Sequence, residues 1–539
     1  MERAKRVVKI SVVLLIFMAP LLWRDNLVSA QEPDRETTIV VSYTEYLWWL
    51  IIWETNEILC LVRVDHEGIP THEEVYQACG EYLYTIWINT PPCSAAVDGS
   101  GDTRECLGVY LYLASIQYKE KEVIIELPPA TVWVALDGCS PVPPKNICPT
   151  IPNLLIIGEE PLPNEEIIAI HGTYDGNPFI CDSATCSLPL RPTRIKGVTI
   201  EFWVDSSYGD SSQKYSALVR VIDTGVALVP GSGGWHVDVI STQWTGEPIA
   251  TCAQIWNAFT PIGEPPTWLS TPEFDELLAT DEPYYYLAGR LISQGIVDAS
   301  GCVSGGLLPN GYADTCGLEK SAPILEPWQN QFDKRIIEVA TQTGIPAQLM
   351  KNLFAQESQF WPGVFRVPYE FGLGQITDNG ADSVLLWNDT FYEQVCPLVL
   401  DEDICSGGYL HLPEREQKLL RGAVALQAHT DCPECPTGID LSQAQFSVLL
   451  FANTLVANCS QVNQTIYNAT ELSSGVVSTY EDLWRFTIAN YHAGAGCTSF
   501  AIHQTWQNTG NLTWSEVATR FTDPCKGVIP YVEKVTHLD

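Results

Sequence analysis

The chain is short of positive charge. Against 65 Asp and Glu it sets only 29 Lys and Arg, for a formal net charge of -36. A surface of that sign repels nucleic-acid phosphates and anionic lipid, which sets nucleic acid aside as a partner and discourages membrane binding. It also repels anionic glycans at long range, so capture of such a substrate has to rest on local contacts. Long apolar runs are scarce too. After residues 10–23 no stretch is long and apolar enough to cross a bilayer, and 47–53 is strand-length. No Cys directly follows residues 10–23, which speaks against a lipoprotein anchor. The first half carries no metal or nucleotide motif and no convincing residue-level repeat. What remains is a polypeptide of 46% hydrophobic and 10% aromatic residues, able to build large packed cores in two to four domains.

Arg3, Lys5, Arg6 and Lys9 precede the apolar run, and Val28-Ser29-Ala30 follows it. Basic start, short apolar core and small-residue site predict a signal peptide over 1–30 and a secreted or cell-envelope protein. The alternative is an uncleaved anchor, the one way in which this chain would touch a membrane. The 18 Cys then predict disulfides. Nine lie up to Cys252 and nine from Cys302 onward, an odd count on each side that points to one bridge between the halves or to free thiols. Cys302 and Cys316 flank a loop and suit each other. His429-x-x-Cys432-x-x-Cys435 has metal-like spacing, but an oxidising compartment favours bridges, so no metal and no cofactor are expected.

Val, Ile, Tyr and Trp dominate the first 250 residues in short runs broken by Gly, Pro and Asn. The pattern predicts an all-β N-terminal part made of two β-sandwich units, 31–145 and 153–255. In the first, strands are expected over 39–46, 47–53, 58–64, 82–89, 107–118, 123–127 and 131–136, with a helical turn or two at 71–78 and a hairpin turn at 119–122. In the second they are expected over 166–172, 198–205, 215–222 and 235–241. The rings of these units fill cores or stack on glycan. Residues 261–326 read as a linker and accessory helix, with Thr271 as N-cap, Pro272 at the first helical position and an interruption at Pro283. From 327 to 539 the period turns helical and predicts an all-α domain.

The stretch 344–377 organises that domain. Leu349, Met350, Leu353 and Phe354 recur at helical spacing, and Glu357 continues their apolar side. Glu is seldom buried unpaired, and desolvation favours its protonated form. Such a carboxyl can hand a proton to a leaving group. Ser358 follows it, then Gly372-Leu373-Gly374-Gln375, and near the end Tyr491-His492-Ala493-Gly494-Ala495-Gly496.

Glu-Ser, then Gly-Leu-x-Gln, then Tyr-x-Ala-Gly-x-Gly, in that order, resembles the soluble-type lytic transglycosylases of glycoside hydrolase family 23. The resemblance covers about residues 328–539. It implies a lysozyme-like fold, monomeric action on peptidoglycan glycan strands, and cleavage of the MurNAc-GlcNAc β-1,4 bond to leave 1,6-anhydro-MurNAc ends. It implies Glu357 as the single acid/base, with Ser358, Gly372, Gln375, Tyr491 and His492 shaping the substrate site. Three positions depart from the family pattern. Gly374 stands where Met is usual, which removes a side chain from the groove, His492 stands where Asn is usual, and Ala495 stands where Pro is usual. Glu370, Asp378 and Asp382 lie near in sequence; one of them across the cleft from Glu357 would suit an inverting hydrolase with a water nucleophile. A lysozyme-like hydrolase of peptidoglycan or chitin, and a non-catalytic wall-binding protein, stay open as alternatives.

Overall fold

A computed structural model describes residues 35–537 apart from 95, 97–100, 142–144, 226–232, 247–249, 264 and 364–369. The expected leader lies outside the described residues. Two compact units divide the chain, one of residues 1–130 with 160–166 and 206–211, the other holding the rest.

The first unit is one antiparallel sheet of order β2-β1-β3, built from β1 (Glu36–Ile52), β2 (Ile58–Val64) and β3 (Val109–Glu126), with helix α1 (His72–Ile88) packed on it. It is not the expected sandwich. Both long strands run through the predicted breaks. The 119–122 stretch does not turn, because its charges alternate at the strand period and find partners. Lys119 Nζ reaches Glu45 at 2.6 Å, and Lys121 sits over the Tyr43 ring. Residues 82–89 are helical, not a strand. Thr71 and Glu74 form a capping box, the helix passes Gly80 (φ 78°) with a kink, and Val75, Cys79, Tyr84 and Trp87 pack on the sheet. The Cys60–Cys79 bridge pins the helix to β2.

The second unit begins with two sheets. β4 (Thr131–Asp137), β6 (Asn153–Glu159) and β9 (Thr185–Pro189) form one, in the order β4-β6-β9. The other runs β5-β12-β11-β10-β7-β8, from β5 (Ile147–Cys148), β7 (Ile167–Tyr174), β8 (Asn177–Cys181), β10 (Val198–Ser206), β11 (Tyr215–Asp223) and β12 (Trp235–Ile240). The four strands expected here correspond to β7, β10, β11 and β12. Strand 131–136, assigned from its position to the first β module, instead pairs with β6 from Thr131↔Glu159 to Asp137↔Asn153. The sheets meet closely at Gly158, where a Cβ would lie 2.9 Å from Ile167 and 3.0 Å from Val204.

The rest of this unit is helical. Its helices of eight or more residues are α2 (Tyr285–Ser293), α3 (Thr315–Asn330), α4 (Asp333–Thr343), α5 (Ala347–Ser358), α6 (Asp378–Trp387), α7 (Glu414–Ala428), α8 (Leu441–Thr470), α9 (Tyr480–Thr509) and α10 (Val528–Thr536). They share one apolar core with residues 252–291, including Trp256, Phe354, Phe360, Phe451 and Trp484. The expected helix from 271 to 297 is instead a short turn at Asp275–Leu277 followed by α2. The Thr271 hydroxyl caps a different helix: it accepts from Ala347 N at 3.1 Å, at the start of α5, whose own cap position is Pro346. No helix among the described residues is long and apolar enough to cross a membrane.

All 18 cysteines pair, in nine bridges. Cys252–Cys459 is the expected bridge between the halves, and Cys302–Cys316 forms as expected. Pairing this complete belongs to an oxidising, extracytoplasmic setting.

Candidate functional site

α5 positions the site, and it is buried all round rather than on one face. Gln348, Lys351 and Asn352 are as enclosed as Leu349, Met350, Leu353 and Phe354. Its polar side chains are therefore committed to partners. Lys351 Nζ donates to Leu278 O (3.0 Å), Asn330 Oδ1 (3.0 Å) and Asp333 Oδ2 (2.6 Å), which uses all three of its protons. Gln348 Nε2 donates to Ala279 O and to Asn352 Oδ1, and Asn352 Nδ2 donates to Val535 O at 2.9 Å on α10. The helix is a fixed spike that presents its C-terminal end to a cleft.

That end is unusual backbone. Gln359 and Phe360 follow it at φ 47° and 61°, left-handed values that cost a non-glycine residue about 1 kcal/mol or more each. Phe360 is fully buried, and Gln359 Oε1 accepts from Tyr286 N (2.9 Å) and Leu287 N (3.2 Å) at the start of α2. The chain is thus turned sharply just after Glu357 and Ser358. Glu357 is half-buried and accepts a short hydrogen bond on Oε1 from the Tyr531 hydroxyl of α10.

Ser358 Oγ donates to Leu373 O at 2.7 Å, which ties the first motif to the second. The second motif is a tight loop closed by paired bonds between Phe371 and Ile376 (3.0 and 2.8 Å), with Gly372 at φ 71° and Gln375 at φ 52°. Gln375 Nε2 donates to Gly372 O at 2.6 Å, while its buried Oε1 has no partner. Tyr491 of α9 donates its hydroxyl to Gly374 O and ties the third motif to the second. Gly374 does not leave a gap in the groove, as its small side chain suggests. A Cβ there would lie 2.0 Å from Phe451 Cδ2, so the Phe451 ring of α8 fills the space, and it packs edge-on to Tyr491 at 5.4 Å between centroids. His492, next along α9, stacks on the Tyr531 ring at 3.9 Å. Beyond it α9 kinks at Gly494 (φ 80°) and continues as one bent element.

Glu357, Ser358, Gln375, Tyr491 and His492 therefore line one cleft of about 770 Å³, the size of a small-molecule or oligomer site. Gly372 does not line it and serves the loop behind. Burial next to Glu357 pushes the Tyr531 and Tyr491 hydroxyls well above the ordinary tyrosine range, and Glu370 adds to the effect on Tyr491. Both stay protonated donors at any working pH. Loss of solvent pushes the His492 imidazole below its usual range, so it is neutral at neutral pH.

Of the three nearby acids, Glu370 lines the cleft. Asp382 does not: it accepts from Arg421 Nε at 2.8 Å and from Tyr409. Asp378 opens α6 behind its cap Thr377. Cys432 and Cys435 are bridged to one another, which removes both as thiolate ligands.

Sequence reading missed three parts of the cleft. Tyr531 carried no local signal, because one Tyr in a short apolar helix reads as core. Thr454, Asn458 and Gln461 stand at i, i+4 and i+7 on α8, a polar stripe at helical spacing among the apolar residues of its middle. Asn490 Nδ2 bridges two of them, donating to Asn458 Oδ1 and Gln461 Oε1 at 2.7 Å each. The third part is the wall supplied by Glu282, Tyr286 and Tyr312, outside the region that carries the motif resemblance. Comparison of the chain with known protein families, with curated proteins and with solved structures finds no match.

Proposed function

We propose that this chain is an exported lytic transglycosylase that cuts peptidoglycan glycan strands, with a lysozyme-like catalytic region. The observation that carries the reading is the mutual tethering of the three motifs around one half-buried carboxyl. Ser358 bonds Leu373, Tyr491 bonds Gly374, and Tyr531 bonds Glu357 in the same cleft. Two of these links join residues more than a hundred positions apart, which supports the reading.

In the first step Glu357, protonated, gives its proton to the glycosidic oxygen of the leaving GlcNAc as the C1–O bond of MurNAc breaks. Positive charge then builds at C1, opposite the carboxylate. In the second step the MurNAc 6-oxygen attacks C1 to form the 1,6-anhydro bond and its hydroxyl proton passes to the Glu357 carboxylate, so the acid is restored and no water is consumed. The Tyr531 hydroxyl holds the carboxyl in place through both steps. The buried Gln375 Oε1, an acceptor without a partner, is suited to an N–H or O–H of the sugar.

Glu370 favours a second reading. It is a second carboxyl on the cleft, and a carboxylate across from the acid is what an inverting hydrolase uses to activate water. Digestion of purified wall by the wild type and by Glu357→Gln separates the readings by mass spectrometry of the new ends. Anhydro-muramyl ends, lost by at least about a thousandfold in Glu357→Gln, are expected. Reducing ends that vanish in Glu370→Gln would establish the hydrolase instead. Wall clearing that survives Glu357→Gln would remove Glu357 as the acid.

A further inference from the structure

The wall made by Glu282, Tyr286 and Tyr312 belongs to the segment before the motif-bearing region, yet it borders the same cleft as Glu357. Its placement is fixed by the turn that follows the acid. Gln359, just beyond Glu357, holds the backbone N–H groups of Tyr286 and Leu287, so Tyr286 cannot move without the end of α5. The Tyr286 and Tyr312 rings stand 5.6 Å apart at 60° to each other. Both are partly exposed, and Tyr312 packs outside the apolar core. On the lining of the same cleft, Lys534 Nζ lies 3.0 and 2.8 Å from the two oxygens of Glu282, whose side chain is 7% exposed.

Each feature argues for a ligand class. Aromatic rings bordering solvent offer apolar faces with a polar tip, the kind of surface that takes an amphipathic ring. The Lys534–Glu282 pair supplies N–H donors and carboxylate oxygens at no net charge. A free lysine would select an anionic stem peptide, but this one is already neutralised by a buried partner. The wall therefore suits a neutral, hydroxyl-bearing ring.

We infer that Tyr286 and Tyr312 form a sugar-stacking subsite that holds an N-acetylglucosamine unit of the strand away from the scissile bond, with Lys534 and Glu282 bonding its hydroxyls. The inference rests on the proposed glycan-strand substrate. It assigns specificity for strand length to a segment that carries none of the catalytic motifs.

The test is calorimetric binding of a β-1,4-N-acetylglucosamine hexamer to the full chain carrying Glu357→Gln, so that turnover does not interfere. Tyr312→Ala and Tyr286→Ala in that background should each weaken binding about tenfold, while Tyr312→Phe and Tyr286→Phe should stay within about threefold. Tyr312 lies outside the apolar core, so its variant decides the matter if Tyr286→Ala melts early. A loss under threefold in Tyr312→Ala, or a parent chain that does not bind the hexamer, overturns the subsite. Product released from the hexamer by the Glu357→Gln chain would instead overturn the catalytic role of Glu357 and leave the subsite standing.

Discussion

Tyr531 shows most directly how single side chains set the chemistry. Its hydroxyl is desolvated beside Glu357 and so remains a donor, and a donor to a carboxylate favours the ionised form. Removing it makes ionisation harder. The acid has to be protonated for the first step, so the alkaline limb of the pH–rate profile reports that ionisation. Tyr531→Phe is expected to move the alkaline limb of kcat/KM to higher pH, and to lower kcat about 10- to 100-fold because the carboxyl is less well held. A merely structural role would lower activity with the limb unmoved. Gly374 gives the second prediction at this scale. Gly374→Met restores the residue that the family resemblance leads one to expect, but it forces side-chain atoms into the Phe451 ring. It should cost about 2 kcal/mol of unfolding free energy, and Phe451→Ala in the same chain should recover part of that. The two residues are one packing solution. That is why Gly374 looked like a defect in the sequence: its compensation lies far along the chain, on another helix. Glu357 was legible because its helical register placed it with apolar neighbours. Tyr531 was not, because its role depends on α10 returning to α5, a tertiary fact with no local trace.

At the scale of elements, residue pattern placed some elements and misread others. The strands β7, β10, β11 and β12 were legible from their β-branched and aromatic runs, and so was the helical character after 328. The 119–122 charges were read as a turn because a charge run is usually solvated, yet here they continue a strand whose neighbours accept them. Residues 82–89 were read as a strand because of their aromatics, but those rings pack from a capped helix. Tertiary packing overrode β propensity in that case. Thr271 was legible as a helix cap and wrong only in which helix it caps. Its hydroxyl serves α5 across a long sequence gap, and Gln348 N donates to the neighbouring Ser270 O at 3.0 Å. The segment before the motifs thereby holds both ends of α5, through Thr271 at the start and Tyr286 beyond the end. Thr271→Ala should lower stability by about 1 kcal/mol, measured by chemical denaturation, and should also raise KM by loosening that frame. Thr271→Ser, which keeps the hydroxyl, should behave as wild type. A Thr271→Ala chain with unchanged stability would show that the start of α5 needs no cap from outside.

For the whole molecule the governing quantity is charge. The chain carries a formal net charge of -36, and the cleft itself presents Glu282, Glu357 and Glu370 against Lys534. A glycan strand that bears stem-peptide carboxylates approaches a surface of its own sign. Screening reduces that repulsion, since the Debye length falls from about 30 Å at 0.01 M salt to about 8 Å at 0.15 M. Contacts inside the cleft are shorter than either length and change little. For anionic wall fragments kcat/KM should therefore rise several-fold as salt increases across that range, with kcat nearly constant, because the effect acts on encounter. A neutral N-acetylglucosamine hexamer should bind with the same affinity at both salts. The pair of measurements separates the long-range field from the local site. If the anionic substrate instead loses kcat/KM with added salt, attraction by a cation such as Lys534 outweighs the field of the whole chain, and the neutral character assigned to that wall would have to be given up.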